Sequence, residues 1–76
     1  MKRHLSNREW QVAGQLATGK SYAAIARQLR KPNGEPITAR TVEAHVARIA
    51  AKLPNPDGLS PRTLVMLWAR DQNAAA

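Results

Sequence analysis

The stretch that decides the fold is ITARTVEAHVARIAAKLP, residues 37–54. Four apolar residues recur in it at spacings of four, three and four positions, which places them on one narrow face of an α-helix. They are Val42, Val46, Ile49 and Leu53. Thr38 is a favourable N-cap residue, and Pro54 ends the helical pattern. The sequence therefore predicts a helix over about 39–53 with one buried face.

The opposite face of this helix carries small and basic residues. Its centre consists of Arg40, Ala44, Ala47 and Ala51, with Glu43 and Arg48 on the two flanks. Alanines would let the helix approach the floor of a DNA major groove, and their methyl groups could contact thymine methyl groups. Thr38 and Thr41 lie at the helix N-terminus, which favours anions. An ordinary solvent-exposed helix gives the same pattern, since alanine is a strong helix former.

Two shorter helices precede this one. Ser6 and Glu9 have the spacing of a capping box, and Gly19 is placed to end the first helix near residue 18. Ser21 is an N-cap for a second helix that ends near residue 29 or 30. That helix has an apolar stripe formed by Tyr22, Ile25, Ala26 and Leu29. The second and third helices together have the character of a helix-turn-helix.

A fourth helix is apolar on more than one side. Ser60 and Pro61 have the types expected at the N-cap and the first helical position. The residues expected in the core are Leu64, Val65 and Trp68. The residues then left at the surface, as candidates for a two-fold dimer contact, are Met66, Leu67 and Arg70. The alternative is that so short a domain leaves some apolar surface uncovered.

Length and charge limit the function. The chain has 76 residues, which predicts one domain over 1–76 with a core at about 5–70 and a frayed end at 74–76. Twelve Lys and Arg residues against five Asp and Glu residues give a net charge of +7, which favours a polyanionic partner. The longest apolar stretch, residues 64–69, is too short to span a bilayer. We expect a cytoplasmic protein with no membrane partner.

Catalytic chemistry is poorly supported. The chain has no cysteine, and its five carboxylates form no pair at helical spacing. His45 lies at the border of the core face of the third helix, where a lone histidine usually has a structural role. We therefore expect no enzyme activity, no metal site and no cofactor.

The capping and core residues also match a known family in order and spacing. Those of the first two helices are Leu5, Ser6, Arg8, Glu9, Val12, Leu16, Ala17, Gly19, Ser21, Ile25, Ala26 and Leu29. Those that follow are Ile37, Thr38, Thr41, Val42, His45, Val46, Ile49, Lys52, Leu53 and Arg62. Over about residues 5–69 the chain resembles the LuxR-type (GerE-like) helix-turn-helix domain. The resemblance implies an all-α, four-helix DNA-binding transcription regulator whose third helix enters the major groove and whose fourth helix commonly forms a dimer contact.

The contact residues follow from the helix faces and from this resemblance. The candidates for base contacts are Arg40, Glu43, Ala44, Ala47 and Arg48. The candidates for phosphate contacts are Ser21, Tyr22, Arg30, Lys31, Thr38, Thr41, Lys52 and Arg62. Seven residues, 30–36, occupy the turn between helices two and three, where the family usually has one glycine. We interpret this extended turn as a surface insertion, with an accessory role in DNA binding as the alternative.

Three functional hypotheses remain open. The leading one is a homodimeric, sequence-specific regulator that binds double-stranded DNA. The second is a protein-interaction module that docks through the apolar fourth helix, for example on RNA polymerase or another regulator. The third is a domain similar to region four of a sigma factor, although such regions normally end with the recognition helix.

Overall fold

The computed structural model describes residues 5–29 and 33–75, with side chains to residue 72. These residues form four helices and no β-strand. The helices are α1 (Asn7–Ala17), α2 (Tyr22–Gln28), α3 (Ala39–Ala51) and α4 (Pro61–Ala75). The predicted all-α, four-helix architecture is confirmed. None of these helices combines the length and the apolar character that a membrane span requires.

Each helix begins at the residue that the sequence predicts. Ser6 Oγ accepts a hydrogen bond from the backbone N–H of Glu9 at 3.1 Å, and Glu9 Oε1 accepts one from the backbone N–H of Ser6 at 2.9 Å, which completes the capping box. The hydroxyl groups of Ser21, Thr38 and Ser60 accept from the backbone three residues later, at 3.1, 3.2 and 3.3 Å. Local hydrogen bonds therefore define all four starting points.

The helix ends differ slightly from the sequence-based limits. Gly19 ends α1 with a φ of +86°, as expected for a left-handed residue after a helix. The third helix ends at Ala51, two residues before the predicted end. The N–H groups of Lys52 and Leu53 each bond a carbonyl three residues back, at 3.0 and 3.1 Å, so the last turn tightens before Pro54.

All four helices contribute to one core. Its buried residues are Val12, Ala13, Leu16, Ala17, Ile25, Ala26, Leu29, Val42, Val46, Ile49, Leu53, Val65 and Ala69. The stripe predicted for α3 is entirely buried. Of the stripe predicted for α2, Tyr22 is only half-buried and packs at the edge of the core. The core therefore fixes which face of each helix reaches solvent.

The packing separates α2 from α4. The first helix contacts the other three, and α3 contacts α1, α2 and α4. In contrast, the backbones of α2 and α4 do not pack against each other. Helix α1 thus packs against both α2 and α3. Helix α4 packs against α1 and α3, and individual side chains link it to α2.

The connecting segments are exposed. Residues 33–36 include an Asx turn in which Asn33 Oδ1 accepts from the N–H of Glu35 at 3.0 Å. In the α3–α4 linker, the Asn55 amide bonds both the N–H and the carbonyl of Leu59 at 2.8 Å. The α4 helix continues through 74 and 75, two of the residues for which we predict fraying, and the fraying itself stays a prediction.

Candidate nucleic-acid interface

The outward face of α3 is the candidate interface. Arg40, Glu43, Ala44, Ala47 and Arg48 are all exposed. The opposite side of the same helix is anchored in the core, where Val42, Val46 and Ile49 are fully buried. The structure therefore brings all five candidates for base contacts to one surface. The role of these residues in DNA binding stays a prediction.

The charged side chains on this face are not used in binding the rest of the domain. In the described part of the chain, the side chains of Arg40, Glu43 and Arg48 form no hydrogen bond or ion pair. An ion pair of Glu43 with Arg40 or Arg48 would have given it a purely structural role, and that pair is not formed. The donors and the acceptor on this face are consequently available to a partner.

Two threonines mark the start of the face. Thr38 Oγ1 caps α3 and lies 3.1 Å from Thr41 Oγ1, so the two hydroxyl groups share a hydrogen bond. Thr38 is exposed and Thr41 is half-buried. Both remain candidates for a phosphate contact at the helix N-terminus.

Lys52, a predicted phosphate contact, has a partner inside the protein. Its Nζ lies 2.7 Å from Oε1 of Glu9, whose side chain is only 8% exposed. The hydrogen bonds from Lys52 and from the N–H of Ser6 hold the pKa of Glu9 below its usual value, although burial opposes this shift. Lys52 therefore balances a buried carboxylate, and a role on DNA is not needed to explain it.

Arg62, another predicted phosphate contact, is also engaged within the domain. Its Nη2 donates to the carbonyl of Lys20 at 2.9 Å, and its guanidinium lies 5.0 Å from the centre of the Tyr22 ring. These contacts also occupy one face of Tyr22. The Ser21 hydroxyl caps α2. The remaining two phosphate candidates, Arg30 and Lys31, lie outside the described residues.

The dimer candidates on α4 differ in exposure. Met66 is half-buried and packs against the core, so only part of its side chain reaches solvent, and its place in a dimer contact stays a prediction. It follows Val65 by about 100° around the helix and covers the edge of the core. Leu67 is 45% exposed, as expected. Arg70 is exposed, and its Nε donates to the carbonyl of Ala17 at 3.0 Å.

A contact between Trp10 of α1 and Trp68 of α4 was not predicted. The rings of Trp10 and Trp68 lie 5.2 Å apart, tilted by 33°. Trp68 packs against the core, whereas Trp10 is 44% exposed. The two residues lie on helices far apart in sequence, so no local pattern could have revealed the contact.

His45 lies between the core and the outer face of α3. It is half-buried, and its Nδ1 is buried without a hydrogen-bond partner among the described residues. Burial lowers its pKa, the positive charges of Arg48 and Arg8 lower it further, and Glu9 opposes the shift. The neutral imidazole is consequently the form that fits the fold.

Comparison with known proteins decides the family. The model for bacterial regulatory proteins of the luxR family (GerE) matches residues 3–56, more than two thirds of the chain. The chain belongs to the luxR family. The matched part includes α1, α2 and α3, and it ends before α4. Domains of this family are generally DNA-binding regulators of transcription. No match is found among curated proteins or among solved structures.

Proposed function

We propose that this luxR-family domain regulates transcription by placing α3 in the major groove of double-stranded DNA and reading a specific sequence there. One observation carries the proposal. The outer face of α3 is exposed and its charged groups have no partner within the described residues, while the inner face is fully buried. Acting on bacterial DNA requires that the protein work in the cytoplasm.

The residue types on this face suit base recognition. Arg40 and Arg48 carry donors for guanine or for phosphate, and Glu43 can accept a hydrogen bond from a cytosine amino group. Ala44 and Ala47 add little bulk, so the helix axis can come close to the base edges. With few long side chains available, we expect shape and methyl contacts to contribute to specificity beside the polar contacts.

Phosphate contacts would surround this face. The net charge of +7 provides the long-range attraction. Thr38 and Thr41 lie at the start of α3, and the basic pair Arg30 and Lys31 precedes it in sequence. Because Lys52 and Arg62 are held within the domain, we expect the salt dependence of binding to change little when either is replaced.

We further propose that α4 forms a two-fold dimer contact centred on Leu67. Val65 and Ala69 direct one side of α4 into the core, which leaves Leu67 on the other side. A two-fold helix pair would bury Leu67 against its copy in the second chain, next to the exposed Arg70. The operator would then be an inverted repeat with half-sites about one helical turn apart.

Selection from random duplexes tests the proposal. The full chain would be used to enrich bound sequences, and its affinity for the selected duplex would be measured at two salt concentrations. We expect an inverted repeat and an affinity that falls steeply with salt. If no sequence is enriched and binding is weak and insensitive to salt, the proposal is wrong and the interaction-module hypothesis gains support.

A further inference from the structure

Two arginines of α4 bond backbone carbonyls near the end of α1. Arg70 Nε donates to the carbonyl of Ala17, the last residue of α1, at 3.0 Å. Arg62 Nη2 donates to the carbonyl of Lys20, in the turn before α2, at 2.9 Å. One side chain near the start of α4 and another farther along it therefore hold the same α1–α2 connection.

The Ala17 carbonyl, at the end of α1, needs a donor from elsewhere in the fold. The last carbonyl groups of a helix have no partner within the helix, and basic side chains commonly satisfy them. The last turn of α1 contains no basic residue. Arg70 supplies the missing donor at Ala17, and Arg62 bonds the carbonyl of Lys20 in the turn that follows, so both guanidinium groups are held within the domain.

The two contacts add to the packing of Val65 and Ala69 against the core in fixing how α4 is oriented. Eight residues separate Arg62 from Arg70, which corresponds to about 12 Å along the helix axis. Two attachments at that separation restrict both the sliding and the tilt of α4. Since the backbones of α2 and α4 do not pack together, the guanidinium of Arg62 over the Tyr22 ring is a direct side-chain link from α4 to α2.

We infer that Arg62 and Arg70 are positioning residues that set the half-site spacing the dimer accepts, an inference that rests on the proposed dimer contact through α4. In that dimer the angle between α4 and the α2–α3 unit fixes the distance between the two reading helices. A tilt of about 10° acting over the 24 Å breadth of the protein moves its far side by about 4 Å. The rise of one base pair is about 3.4 Å, so a displacement of this size is comparable with the distance between neighbouring base pairs and should weaken the preference for one spacing.

The test compares spacing preference with half-site affinity. The duplexes would carry one selected half-site, or two at the selected spacing and at one and two base pairs shorter and longer. The variants are Arg62→Met, Arg70→Met and the double replacement, with the fold checked by circular dichroism. Arg27→Met is the matched control, because it removes one exposed positive charge from α2 without touching either carbonyl contact.

We expect the wild type to prefer the selected spacing by about tenfold and the double variant by about twofold. The affinity of the double variant for the single half-site should fall by no more than the loss of two charges explains, as measured by the control. Arg62→Lys and Arg70→Lys keep a donor and should restore part of the preference. The control should alter all spacings equally. If the double variant does not fold, the single variants carry the same comparison.

Three other outcomes overturn the inference. An unchanged spacing preference in folded variants shows that the arginines do not set it. A loss of half-site affinity beyond that measured by the control, with a reduced salt slope, shows that they bind phosphate directly. If the wild type binds an asymmetric site as a monomer, the proposed dimer itself is wrong. The measurement on the wild type shows this before any variant is compared, so failure of the dimer can be told from failure of the inference about the arginines.

Discussion

Lys52 Nζ lies 2.7 Å from Glu9 Oε1, although 43 residues separate the two in sequence. The contact joins the C-terminal end of α3 to the first turn of α1. Glu9 simultaneously completes the capping box with Ser6, so one buried carboxylate fixes the start of α1 and the end of α3. The orientation of the candidate reading helix thus depends on an interaction outside its exposed face.

Replacing Lys52 by Met should destabilise the fold. The buried Glu9 carboxylate would lose its cation, and we expect the free energy of unfolding at neutral pH to fall by about 1–3 kcal/mol. Urea denaturation measures the change. The control is Lys20→Met, since the Lys20 ammonium bonds only the neutral Gln15 amide among the described contacts. If the two replacements lower the free energy of unfolding equally, the role of Lys52 is contradicted. Combining Glu9→Gln with Lys52→Met should recover part of the stability lost in Lys52→Met.

Acidification should destabilise the protein through His45. The pKa of His45 in the folded state is below its ordinary value of 6.5, because the site is buried and lies near Arg48 and Arg8. As the pH falls below about 6.5, the unfolded chain takes up a proton before the folded one does, so the free energy of unfolding decreases. His45→Leu should remove this part of the pH dependence. Urea titrations between about pH 5 and pH 7 measure it, and an unchanged slope in the variant would contradict the assignment.

Glu43→Ala should change specificity without changing stability. The side chain is exposed and forms no ion pair among the described residues, so we expect the free energy of unfolding to change by less than about 0.5 kcal/mol. Loss of a carboxylate acceptor should relax the preference at one base pair of each half-site. Repeating the duplex selection with the variant gives the result. Asp71→Ala removes an exposed carboxylate from α4 and serves as the control. If Glu43→Ala selects the same site as the wild type, base reading by Glu43 is ruled out.

Leu67→Asp should abolish the dimer and leave the domain folded. Leu67 lies opposite the buried side of α4, so the new charge stays in solvent in the monomer and would be buried in the proposed helix pair. Sedimentation with and without the selected duplex measures the stoichiometry. Met66→Asp provides the contrast, because Met66 packs against the core and its replacement should lower stability instead. A Leu67→Asp protein that still binds two copies per operator would exclude α4 as the contact.

Local patterns predicted most of the fold. The caps at Ser6, Ser21 and Thr38 each join residues three positions apart, and successive residues of the buried α3 stripe lie three or four positions apart. Helix capping and periodicity act over this range. The exposed face of α3 follows from the same periodicity, because the residues on the side of the helix opposite the buried stripe reach solvent. These features were therefore accessible without any knowledge of tertiary contacts.

Long-range contacts could not be read in this way. Lys52 and Arg62 resemble phosphate clamps in sequence, because a basic residue near a reading helix looks the same whether it faces DNA or an internal carboxylate or carbonyl. The deciding partners, Glu9 and the Lys20 carbonyl, lie more than 40 residues away. Met66 shows the same limit, since helical spacing alone does not tell how far the core extends around α4.

The central claim is that the outer face of α3 lies against DNA, and the affinity of Ala47→Glu for the selected duplex tests it most directly. Ala47 is exposed, so glutamate should leave the fold intact while placing a negative charge and added bulk against the groove. Gln11→Glu adds the same negative charge at an exposed position of α1. Fluorescence anisotropy measures the affinity of each variant for the duplex. We predict that Ala47→Glu weakens binding by about a hundredfold or more, while Gln11→Glu weakens it by less than about fivefold. Equal affinities of these two folded variants would contradict the placement of α3 in the groove.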